Sequence, residues 1–206
     1  MTCRAQLYRA GLSAAGGCLL AALGSAAFSA PASAAGERIT GLAATVTDNK
    51  IVVSGELTQW FSRAIEDNIG HGIAKDLFFY ILLKRREAYW YDEELLAMTL
   101  QRTIQYDLLT KRYVVTIRPD KTAQARQETF DDLGAARALL SKVDRATLTS
   151  RDRLRSGEVY YVSMKAEMRA GRVPRYLEYF LFFIPFLDVS TPWTDSSPFS
   201  AASPAK

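Results

Sequence analysis

Two cysteines and one histidine are all that the 206 residues offer to thiol and imidazole chemistry. Both cysteines, Cys3 and Cys18, sit in a leading stretch that reads as a secretory signal peptide. Arg4 and Arg9 give it a positive start, residues 10–28 are apolar and rich in Ala and Gly, and Ala32-Ser33-Ala34 fits a small-residue cleavage site. Cleavage near Ala34 leaves a cysteine-free chain, with no disulfide-linked partner, no thiol nucleophile and no thiolate metal ligand. The expected location is periplasmic or otherwise extracytoplasmic. The alternative is retention by an uncleaved N-terminal anchor, since the apolar stretch is close to the roughly 20 residues that span a bilayer.

His71, in Asn68-Ile69-Gly70-His71-Gly72, has no G-x-S-x-G element to accompany it and reads as a plain loop histidine. A metal site would have to be built from carboxylates alone, and no glycine-rich phosphate loop is present, so neither metal nor cofactor is expected. The acidic groups Glu66-Asp67, Asp92-Glu93-Glu94 and Asp131-Asp132 are sequence neighbours. A glycosidase needs its two carboxylates facing each other across a cleft. Asp131 and Asp132 suit a helix N-terminus instead. No catalytic residue is assigned, and the chain is expected not to be an enzyme. Without Arg4 and Arg9 the net charge falls from +4 to about +2, so no broad basic field exists and nucleic acid is an unsuitable partner.

What the sequence has in quantity is period two. Residues 75–118 read as three consecutive strands. The first is apolar on both faces from Leu77 to Leu83 and predicts cover on both sides. In the second, Leu96, Met98, Leu100, Ile104 and Tyr106 alternate with polar neighbours, with Arg102 as the exception on the dry face. A link at residues 108–111 leads to the third, where Tyr113, Val115 and Ile117 alternate with Val114, Thr116 and Arg118. Before them, residues 39–47 and 51–57 predict a hairpin turning at Asp48-Asn49, and residues 60–69 a short helix ending near Gly70 or Gly72. After them, Arg118 to Glu128 predicts an exposed, mobile loop. A helix follows from a capping-box-like start at Thr129 to about Val143, then a connection over residues 144–156 containing Arg151, Arg153 and Arg155. Residues 158–169 alternate most cleanly of all. Residues 176–187, YLEYFLFFIPFL, predict a core-packing helix or strand, with insertion into a membrane surface as the sharper alternative. The Ser/Pro/Ala-rich tail over residues 196–206 predicts disorder.

The order of these features resembles the DUF4390 family of bacterial exported proteins. The residues that carry the likeness are Lys84-Arg85-Arg86 closing an apolar strand, the Trp90 neighbourhood, YDLLTKRYVV from Tyr106, Phe130-Asp131-Asp132-Leu133, GEVYYVSMKAEM from Gly157, and VPRYL ahead of Trp193. The resemblance implies an envelope role, with a hint of signalling from neighbouring sensor-kinase genes, and brings no catalytic residue with it.

The expected fold is α+β: mainly antiparallel sheet, about six or seven strands, sandwich-like, with two short helices packed on it. One domain is expected over residues 35–195. The expected function is a non-enzymatic envelope protein that binds a protein or membrane-surface component. Its candidate binding residues are Lys84, Arg85, Arg86, Tyr89, Trp90 and Tyr91, which join cations to aromatic rings at a strand end. The alternative placement has the cations solvating the strand end while the rings pack under the next hairpin. The rival functions are a carrier of an apolar or lipid-like ligand and, more remotely, a hydrolase.

Overall fold

The structure, a computed structural model, describes residues 36–119, 124–171 and 189–200. The signal-like stretch, its cleavage site, residues 176–187 and the last six residues lie outside the described residues. The remainder is α+β and mainly antiparallel β, in two sheets.

The smaller sheet has three strands in the order β1 (Arg38–Thr47), β2 (Lys50–Thr58), β7 (Lys142–Ser150). Its hairpin turns on Asp48 and Asn49 at φ 47° and 58°, the left-handed pair that a two-residue turn requires and that Asp and Asn tolerate. The larger sheet runs β8 (Val159–Ala170), β3 (Lys75–Arg85), β4 (Glu93–Asp107), β5 (Arg112–Arg118), β6 (Arg126–Phe130). Three two-residue pieces, β9 (Val189–Ser190), β10 (Thr194–Asp195) and β11 (Phe199–Ser200), line the free side of β8. One hydrophobic core joins both sheets, from Ile39, Val53 and Leu57 on one to Leu77, Phe79, Ile81, Val162 and Met164 on the other. Gly55 faces the larger sheet: a Cβ there would lie 3.5 Å from Met164 Sδ and 3.4 Å from Leu42 Cδ1. Helix α1 (Arg63–Gly70) is capped by Ser62 and buries Ile65 and Ile69, and α2 (Leu133–Ser141) buries Ala136 and Leu140.

Several expectations need correction. Only one face of β3 is fully covered: Leu77, Phe79, Ile81 and Leu83 are buried, while Phe78, Tyr80 and Leu82 are half-buried. On that second face Phe78 and Tyr80 stack on each other at 6.3 Å and Arg169 lies over Phe78. Residues 126–128 are strand, not loop. As an edge strand with little cover, β6 has no reason to alternate. The second helix starts three residues later than predicted, because Asp132 and not Thr129 is its N-cap, accepting from the Ala135 N–H at 2.9 Å. Residues 144–150 are strand, hidden from the sequence by a bulge at Arg145, whose φ is 48°.

The tail is also ordered as far as Ser200. Where its ladder on β8 breaks, hydroxyls supply the rungs: Thr191 Oγ1 accepts from the Ala166 N–H and Ser196 Oγ from the Val162 N–H, at 2.9 and 3.0 Å.

Arg102, the one charge on the dry face of β4, has a clear reason to be there. Helix α2 runs into β7 without a loop and carries no basic residue in its last turn. Its orphan carbonyls need a donor from elsewhere. Arg102 Nη1 donates to the carbonyls of Leu139, Leu140 and Lys142 at 2.5, 3.0 and 2.6 Å, and the guanidinium lies 5.5 Å from the centre of the Phe79 ring. Burial pushes it down to about 10, so it stays charged at neutral pH and complements the helix dipole.

Candidate functional site

The six residues singled out in sequence all lie at one end of the larger sheet, but the structure divides them. Lys84 and Arg85 are the last residues of β3, Arg86 follows, and Tyr89, Trp90 and Tyr91 ride the loop to β4. The three rings are 92%, 84% and 98% exposed, so they do not pack beneath the next hairpin.

The cations form the loop's base, and two of the three meet carboxylates there. Arg85 holds Glu87 and Glu93 through Nη2 at 2.8 and 2.6 Å and Glu158 through Nη1 at 3.0 Å. The Glu158 hydrogen bond, against a smaller burial cost, raises its pKa further. Lys84 lies 3.7 Å from Glu94. Arg86 leans towards the Tyr161 ring, 6.0 Å from its centre, and its backbone N–H is spent on the Val159 carbonyl.

A second brace closes the loop on itself. Asp92 Oδ1 accepts the Glu87 N–H at 2.9 Å and Oδ2 the Tyr161 hydroxyl at 2.6 Å. These two hydrogen bonds, the tyrosine's first, hold the Asp92 carboxyl below its usual range. Burial and the same bond push the Tyr161 phenol up to about 12. Next to it, Tyr160 donates to Glu158 at 3.0 Å and accepts the Arg155 N–H at 2.9 Å. Burial opposes ionisation of Glu158, but Tyr160 and Arg85 together bring its pKa below the ordinary value. The result is a tethered hairpin tip that presents three large rings to solvent. Such rings combine apolar area with a polar edge.

Residues 34–197 match a family described as a domain of unknown function, DUF4390. The chain belongs to DUF4390. No curated protein and no solved structure matches it. The DUF4390 match takes in every element from β1 to β10, so the loop and all of its braces lie inside the family domain.

The other sequence candidates of this DUF4390 chain have structural duties. His71 is the C-cap residue of α1, with Nδ1 2.6 Å from the Asp67 carbonyl. Asp131 pairs with Arg112 at 2.7 Å, and Arg155 lies 3.7 Å from Glu158. Sequence reasoning missed Tyr161, Asp92 and Glu158 as supports of the loop. The signal for Tyr161 was present: in the alternation of β8 it stands as a large ring on the nominally wet face. Two depressions can be described, of about 310 Å³ beside Trp60 and Arg137 and about 470 Å³ over Asp76, Gln101 and Arg118.

Proposed function

We propose that this is a non-enzymatic binding protein of the cell envelope, and that the loop over residues 86–92 is its contact element for a protein partner. The observation that carries this reading is the near-complete exposure of Tyr89, Trp90 and Tyr91 on a loop braced from both ends. Rings held ready in this way lose little entropy when they dock, and Trp and Tyr are the residues most often dominant in protein interfaces.

Charge favours a protein over an anionic membrane. Around the rings Glu87, Asp92, Glu93, Glu94 and Glu158 outnumber Lys84, Arg85, Arg86 and Arg155, and Arg85 is engaged by three carboxylates. An anionic lipid surface would meet excess negative charge. The depressions beside Trp60 and over Asp76 have polar or charged residues in their linings and give a carrier of apolar ligands no support. The envelope location rests on the signal-like N-terminus.

The test is capture from envelope fractions by the full-length protein, compared with Trp90→Ala and Arg85→Glu. Capture should fall about tenfold or more with Trp90→Ala. Equal capture by all three proteins would overturn the loop as the contact element.

A further inference from the structure

Among the described residues, the strand that leaves the aromatic loop lacks a ladder along part of one side. β3 pairs with β4 from Glu93 to Ile104, but β5 pairs only with residues 101–107. Pro119, which has no N–H to offer a ladder, follows the end of β5 at Arg118. Among the described residues, no strand flanks residues 93–99 on the side away from β3.

Natural sheets guard such an edge with Lys, Pro or a bulge. Here Leu96, Ala97, Met98 and Thr99 contain neither Lys nor Pro. The guard is a register shift at Leu95, where Leu83 faces Leu96 but Lys84 faces Glu94. That shift and Pro119 bracket an open ladder of four residues. Four residues are too few for two copies of this edge to build a stable dimer, yet they suffice for one extended peptide.

We infer that residues 96–99 of β4 accept an extended segment of the partner protein as an added strand. This rests on the proposed function, since the same partner then meets the aromatic loop. The added strand continues the line of β5 and runs antiparallel to β4, as every neighbouring pair in the sheet does. Its N-terminal end starts by Pro119 and its C-terminal end arrives at Tyr89–Tyr91 and the half-exposed Glu93 and Glu94. The segment therefore carries apolar residues where it crosses Leu96 and Met98, no proline, and a Lys or Arg just C-terminal to that crossing, where the carboxylates are in excess. The ladder supplies affinity, and the rings with the acidic rim supply selection.

The experiment places a benzophenone amino acid at Ala97, Thr99 or Trp90 of the full-length chain, irradiates it in the native envelope, and maps the crosslinked residues by mass spectrometry. Strand addition expects the Ala97 and Thr99 probes to reach one segment of one protein, two residues apart. The Thr99 contact should be the more N-terminal, with a basic residue following the Ala97 contact. In a chain carrying Trp90→Ala the Thr99 crosslink should drop about tenfold. Crosslinks from Trp90 with none, or scattered ones, from Ala97 and Thr99 overturn strand addition and leave the loop as contact element. No crosslink from any of the three positions overturns both. Crosslinks from Ala97 and Thr99 to another copy of this chain overturn the partner segment in favour of self-pairing.

Discussion

The two ends of the β3–β4 pair put the same kind of residue, a basic side chain near the core, to opposite uses. At residues 101–104 of β4, flanked by β3 and β5, Arg102 is buried and meets three backbone carbonyls but no carboxylate. At the other end, Arg85 faces Glu93 across the ladder and meets three carboxylates at a partly wet surface. The first arrangement closes a helix end with a guanidinium that is itself buried. The second anchors a loop that stays accessible. One end of β4 is buried between two neighbours, and the other opens to solvent beside the loop.

The comparison breaks most visibly at Arg102. Arg102→Ala removes the sole side-chain donor shared by three carbonyls at the α2–β7 junction and should cost about 3 kcal/mol, read as a lower urea midpoint at unchanged m-value. If the loss were instead close to nothing, water would have to reach that junction. Arg85→Ala should cost less than half as much, because its carboxylates are free to turn to solvent.

A smaller effect separates the two ends by pH. Tyr161→Phe removes the tie to Asp92 and should loosen the loop, read as faster amide exchange at Glu87. In the parent chain the Asp92 contribution is complete above the unfolded value near 3.8 and is lost as pH falls through the lower folded one. The Tyr161 contribution holds below the unfolded value of 10.0 and disappears as pH rises through about 12. Tyr161→Phe should abolish the alkaline dependence at the loop and weaken the acidic one, which the Glu87 N–H bond to Asp92 still maintains, while the α2–β7 junction keeps its protection. The smallest effect is Trp90→Ala: a fully solvated ring should change stability by no more than about 0.5 kcal/mol while partner capture falls. A large destabilisation would show that the ring packs and is not presented.

The same contrast explains how much was legible beforehand. β4, β5 and β8 declare themselves by alternating residue types, and β1 and β2 as β-rich runs on either side of the Asp48-Asn49 turn. β6 and β7 did not, because an exposed edge imposes no pattern on β6 and the Arg145 bulge shifts the pattern of β7 halfway. The six candidate site residues were found from composition at a strand end, but their arrangement was not. Which cations are spent on carboxylates depends on Glu158, which lies 73 positions from Arg85 in sequence. Arg102 looked like a fault in a strand pattern because its reason, the looplessness of the α2–β7 junction, lies about 40 residues away.

The hydroxyl rungs of Thr191 and Ser196 bear on the order in which this chain can finish folding. Among the described residues, the side of β8 away from β3 is lined by β9, β10 and β11, all drawn from residues 189–200. A chain emerging N-terminus first therefore leaves that side of β8 without these rungs until residues 189–200 have followed, some twenty positions after β8 itself.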